Sequence, residues 1–68
     1  MVTIERETIE ALTNAYLTLQ KIIEDLFTQA DNAAAARKYN DASLLTSQAE
    51  ILYRTCENLE TVIVEHEE

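Results

Sequence analysis

Few residues in this chain have side chains that do chemistry: one cysteine, Cys56, one histidine, His66, the tyrosines Tyr16, Tyr39 and Tyr53, and a surplus of carboxylates. Cys56 falls on an apolar stripe, where cysteine behaves as a small packing residue with an inert thiol. His66 stands between Glu65 and Glu67, an apparent metal cluster. Neighbours one residue apart on a helix point away from each other, however, and do not share a small ion easily. A helix end where a protonated imidazole offsets the dipole is the expected role. The carboxylates make no acid–base pair. Glu24 and Asp25 are adjacent, Glu57 and Glu60 lie three apart on an outer face, and none has the apolar flanks that raise a pKa. Ile63 and Val62 stand three and four residues before His66, so the Glu-x-x-His signature of di-iron bundles is absent. Phosphate-cradling loops need glycine, and there is none. No catalytic residue, cofactor or metal site is expected, and the chain reads as a protein that is not an enzyme.

The elements that must position these residues are helical. With no Gly and no Pro in 68 residues, the commonest helix breakers and the usual β-turn residues are both missing. Apolar or small residues recur at Ile9, Leu12, Tyr16, Leu19, Ile23, Leu26, Ala30 and Ala33, a 3-4-3-4 spacing that puts one stripe along a helix. Ala15, Ile22 and Phe27 widen it on both sides. A second stripe follows at Ala42, Leu45, Ala49, Leu52, Cys56, Leu59, Ile63 and His66, flanked by Leu44, Ile51 and Val62. Stripes this broad suit helices that touch more than one neighbour. The fold class is all-α: one helical-hairpin domain, with a first helix over about 3–38 capped by Thr3, a turn at about 39–41 and a second helix over about 41–67.

Without glycine the turn falls to Asn and Asp, which tolerate left-handed geometry or cap helices. Tyr39-Asn40-Asp41 is the favoured site, Asn40 ending one helix and Asp41 capping the next; Asp31-Asn32 is the alternative. A turn near Asn40 makes residue i face roughly residue 79 − i, leaving Val2, Ile4 and Ile9 beyond the second helix without an intrachain partner. A core this small rarely contributes more than about 3–5 kcal/mol, and a single cysteine forms no intrachain disulfide. Two hairpins packed as a four-helix bundle would supply what is missing.

The charge is uneven. Residues 1–10 and 57–68 hold eight acids and one base, net −7 of the total −8, and an antiparallel hairpin gathers them at one tip. That tip attracts a basic protein and repels phosphate backbones, which disfavours nucleic acid as partner; an acidic DNA mimic is the least favoured of the binding roles. The longest apolar runs, Ala33 to Ala36 and Val62 to Val64, fall far short of the ~20 residues of a membrane span. No basic or apolar leader opens the sequence, and a lone thiol suits a reducing compartment, so a cytoplasmic location is expected.

Arg37-Lys38-Tyr39-Asn40-Asp41-Ala42, with Ala49 seven residues on, resembles the second half of a tetratricopeptide repeat, although Thr46 stands where a large aromatic is usual and the repeat's glycine and proline are missing. In size and architecture the chain is also similar to the small dimeric hairpins of the plasmid Rop family, without a counterpart of their RNA-binding face. Both resemblances describe packing geometry and imply no activity.

The sequence therefore predicts a non-catalytic adaptor or regulator, homodimeric as a helical bundle, of a brevity that suits a bacterial or phage protein. The alternative is an obligate subunit or co-chaperone completed by a different helical partner. The expected dimer or partner interface comprises Ile9, Leu12, Tyr16, Leu19, Ile23, Leu26, Leu45, Leu52, Cys56, Leu59 and Ile63. The candidate outer surface comprises Glu5, Glu7, Glu60, Glu65, Tyr39, Tyr53 and Arg54, since Tyr and Arg supply much of the energy at interfaces.

Overall fold

In the computed structural model, which describes residues 4–66, the apolar stripes become two antiparallel helices, α1 (Arg6–Ala35) and α2 (Tyr39–His66). They lie side by side in a rod 53 Å long and 16 × 12 Å across. Glu5 is the last extended residue before α1, with φ −67° and ψ 150°. Its carbonyl accepts the amides of Thr8 and Ile9 at 3.1 and 3.2 Å, while its side chain makes no capping bond. The cap expected at Thr3 lies outside the described residues, as does Val2. Glu7 in the first turn of α1 faces the positive end of the helix dipole.

The turn is at Ala36-Arg37-Lys38, and neither Tyr39–Asp41 nor Asp31-Asn32 makes it. Arg37 takes the left-handed conformation, φ 63°. The Lys38 amide donates to the Ala33 carbonyl at 2.8 Å and the Arg37 amide to Ala34 at 3.0 Å, the pair of bonds that defines a Schellman ending. Asn40 and Asp41 are instead in the first turn of α2, and Asp31 and Asn32 in the last turns of α1. The physical reason is visible in the stripe. After Ala33 its next step is Arg37, so a longer α1 would drive a guanidinium into the seam. Ending the helix at that step turns Arg37 outward and lets α2 begin early enough to bring Ala42 inward.

This moves the register: residue i faces about residue 74 − i, twice the number of the left-handed residue Arg37. Ile9 then lies opposite the last turn of α2 and is half-buried, as is Ile4; Ile9 is not the unpartnered overhang expected of it.

All eight stripe positions of α1 and the first seven of α2 are buried or half-buried. His66 departs from the pattern, being exposed at the end of α2. The fully enclosed row is narrow: Ile23 and Ala30 from α1, with Ala49, Cys56 and Ile63 from α2. Ala49 has no exposed surface at all. Among the described residues no side chain larger than alanine is removed completely from water, so the core is as thin as the length implies.

Candidate interaction surface

In each helix one row faces the other helix: Ile9, Tyr16, Ile23 and Ala30 in α1, and Ala42, Ala49, Cys56 and Ile63 in α2. Residues three positions after each of these rotate to one side of the row, and residues four positions after rotate to the other. Reversing the chain direction in the second helix reverses the sense of rotation, so the two "plus three" rows share one broad side of the hairpin and the two "plus four" rows share the opposite side.

The second side is a polar groove. Tyr16, Gln20, Ile23 and Glu24 from α1 and Tyr53, Cys56, Glu57 and Glu60 from α2 line an open concavity of about 330 Å³. Beside it, Phe27, Glu50, Tyr53, Arg54 and Glu57 line another of about 400 Å³. The Tyr16 hydroxyl donates to Glu60 Oε2 at 3.3 Å across the groove and accepts from Gln20 Nε2 at 3.0 Å. Desolvation by its neighbours, reinforced by the Glu60 carboxylate, pushes the Tyr16 hydroxyl above the ordinary phenol pKa. At the groove floor the Cys56 thiol donates to the Tyr16 main-chain carbonyl at 3.8 Å. Burial first, and then the charges of Glu60 and Glu57, push its pKa up as well. A thiol held protonated in this way is a poor nucleophile. No group of His, Cys, Asp and Glu with metal-binding geometry occurs among the described residues.

Between Thr8 and Ala33 of α1 and between Leu45 and Val62 of α2 the first side carries no charge. From Thr8 to Ala33 its two rows in α1 read Leu12, Leu19, Leu26 and Ala33 beside Thr8, Ala15, Ile22 and Gln29. From Leu45 to Val62 the rows in α2 read Leu45, Leu52 and Leu59 beside Gln48, Thr55 and Val62. The six leucines are half-buried, and Ile22 is 41% exposed. At the outer edge of α2, Leu44 and Ile51 are 62% and 51% exposed. A leucine-lined strip of this kind, uncharged although Thr8, Gln29, Gln48 and Thr55 interrupt its apolar rows, marks a surface made for another surface.

The residues expected to form an interface are thus divided by the hairpin. Ile23, Cys56 and Ile63 are consumed in the seam between α1 and α2, Ile9 and Tyr16 are half-buried there, and the six leucines keep apolar surface for a partner. The candidate outer residues Glu5, Glu7, Glu60, Glu65, Tyr39, Tyr53 and Arg54 are all exposed. Of these, the fold draws Tyr53, Arg54 and Glu60 to the groove side. Tyr39 lies by the turn, with Glu5, Glu7 and Glu65 at the far end. Phe27, read from the sequence as a stripe-widening residue, belongs to the groove wall; its spacing of four from Ile23, against three for Leu26, is the signal that separates the two sides.

Against protein-family models, curated proteins and solved structures the chain has no match. No helix among the described residues is long and apolar enough to cross a membrane.

Proposed function

We propose that this protein is a small non-catalytic interaction module, an adaptor or regulator, that assembles through its charge-free side and presents the groove side outward. One observation carries this reading: a hairpin of two helices keeps six half-exposed leucines and Ile22 on one broad side with no ionisable residue among them, while the opposite side carries Glu10, Glu24, Asp31, Glu50, Glu57 and Glu60. Such a division separates an assembly surface from a solvated, recognition-competent one. Tyr53, Phe27 and Arg54 at the groove are residues of the kind that anchor protein partners, and the carboxylates around them select for a basic one. The buried free thiol is in keeping with a reducing, cytoplasmic setting.

The test uses residues exposed enough to leave the seam intact. The tagged chain, expressed with an untagged copy of itself and purified from its own cells, is compared with the variant Ile22→Glu, Ile51→Glu. Loss of the chain held on the charge-free side, the untagged copy included, with helical signal preserved and any groove-bound basic partner kept, is the expected result; unchanged retention of every chain would show that the charge-free side binds nothing. A second variant, Glu57→Lys, Glu60→Lys, should keep assembly and lose binding of a basic partner, and the parent's partner binding should weaken as salt is raised.

A further inference from the structure

We infer that the occupant of the charge-free side is a second copy of this chain, related by a two-fold axis perpendicular to the rod, so that the acidic tip of each copy lies beside the Arg37-Lys38 turn of the other. This rests on the interaction-module reading above and names its partner and geometry.

Area supports a second copy. The rows from Thr8 to Ala33 span about 38 Å at 1.5 Å per residue, and two adjacent helices are about 20 Å wide. The strip is therefore about 800 Å² on each copy, the size that a stable two-chain interface buries per partner. The chain also exposes 5441 Å², against about 4,300 Å² for a compact monomer of its mass. The excess is of the order of one such strip. Self-association on the groove side would set Glu24, Glu50, Glu57 and Glu60 against their own copies, whereas the charge-free side meets itself without desolvating an ion.

Charge then selects the axis. Stacking two hairpins on this side allows two arrangements, both with antiparallel neighbouring helices. In one, the axis runs along the rod and both tips lie at the same end, bringing together two clusters that are each net −7 by sequence. In the other, the axis crosses the rod and each tip lies beside a turn region whose Asp31, Arg37, Lys38 and Asp41 sum to zero, with the two cations at the bend. The rod is 53 Å long, many times the screening length of about 8 Å at physiological salt, so in the crossed arrangement the two tips do not feel each other. The leucine rows, three in each helix at the same seven-residue spacing, fit either arrangement; the ends of the rod discriminate between them.

The experiment measures mass and one distance. Asn40, exposed near the turn, is replaced by cysteine and spin-labelled in a Cys56→Ala background. Light scattering on this protein should give twice the 7.7 kDa chain mass, and pulsed electron paramagnetic resonance should give a label-to-label distance of about 40 Å, twice the rise from Asn40 to the middle of the strip at 1.5 Å per residue. A dimer with labels within about 25 Å, some two helix diameters, would overturn the crossed arrangement. As a second readout, Arg37→Glu, Lys38→Glu should weaken the dimer about tenfold by placing acids beside the partner's acidic tip; an unchanged dissociation constant would count against the crossed arrangement. A chain that stays monomeric at every concentration overturns self-association. If Ile22→Glu, Ile51→Glu still abolishes retention of a cellular protein in that case, the interaction reading stands with a different occupant; if it does not, both fall.

Discussion

Arg37 occupies a position that helices ordinarily give to glycine. Its φ of 63° brings Cβ toward the following carbonyl, a cost of about 1–2 kcal/mol for a non-glycine residue. In a chain with no glycine at all the Schellman bonds from Arg37 and Lys38 hold the bend nonetheless. Replacing Arg37 by glycine should relieve the strain at the expense of a more flexible unfolded chain, for a net gain of about 0.5–1 kcal/mol. Urea denaturation at high salt, where charges on neighbouring copies are screened, checks it: a higher midpoint with unchanged slope is the expected outcome, and a lower midpoint would mean that the guanidinium itself stabilises the turn. The same residue shows why the bend was not legible in the sequence. Turn chemistry pointed to Asn40 and Asp41, residues with a preference for bends, but the choice was made by what a longer first helix would bury. The stripe gives out at Ala33, and a guanidinium comes next.

At the scale of the helices, the 3-4 spacing was a reliable guide. Every stripe position from Ile9 to Ala33 and from Ala42 to Ile63 lost solvent exposure, because the spacing of apolar residues and the rotation of the helix are the same fact expressed twice. Less legible was how the stripe would be shared. Sequence places Ile22 and Phe27 equally beside it; only the handedness of two opposed helices sends Ile22 to the apolar side and Phe27 to the groove. The inner rows also change in size along the rod. Ala30 and Ala42 lie nearest the turn, Ile23 meets Ala49 at mid-length, and Ile9, Tyr16, Cys56 and Ile63 occupy the half near the tip, so the two axes are free to approach most closely beside the bend. Ala49→Leu puts three extra carbons where nothing is exposed, and overpacking of this kind costs about 1–3 kcal/mol. The expected result is a lower urea midpoint with the helical signal retained; a stability equal to the parent's would show that the helices separate there at no cost.

For the whole molecule, the decisive quantity is the surface left over once the seam is made. A rod of 53 × 16 × 12 Å with five enclosed residues among those described holds too little apolar burial to be strongly stable alone, and the charge-free side is where more burial is available. If assembly supplies it, thermal stability becomes a function of concentration, since only the associated form is favoured by mass action. Each tenfold increase in concentration is worth about 1.4 kcal/mol per dimer, which raises Tm by a few degrees for an assembly of this size. The parent chain should therefore melt progressively higher across a hundredfold concentration series followed by circular dichroism. Ile22→Glu, Ile51→Glu should melt lower, at one temperature throughout, with its helices still formed at low temperature. Identical and concentration-independent melting of the two proteins would mean that the hairpin is sustained by its own seam, and that the apolar side contributes nothing to the stability of the isolated chain. Progressive melting of the parent alone would place a large share of the fold's stability between chains, with the seam sufficient to form the hairpin and assembly holding it against heat.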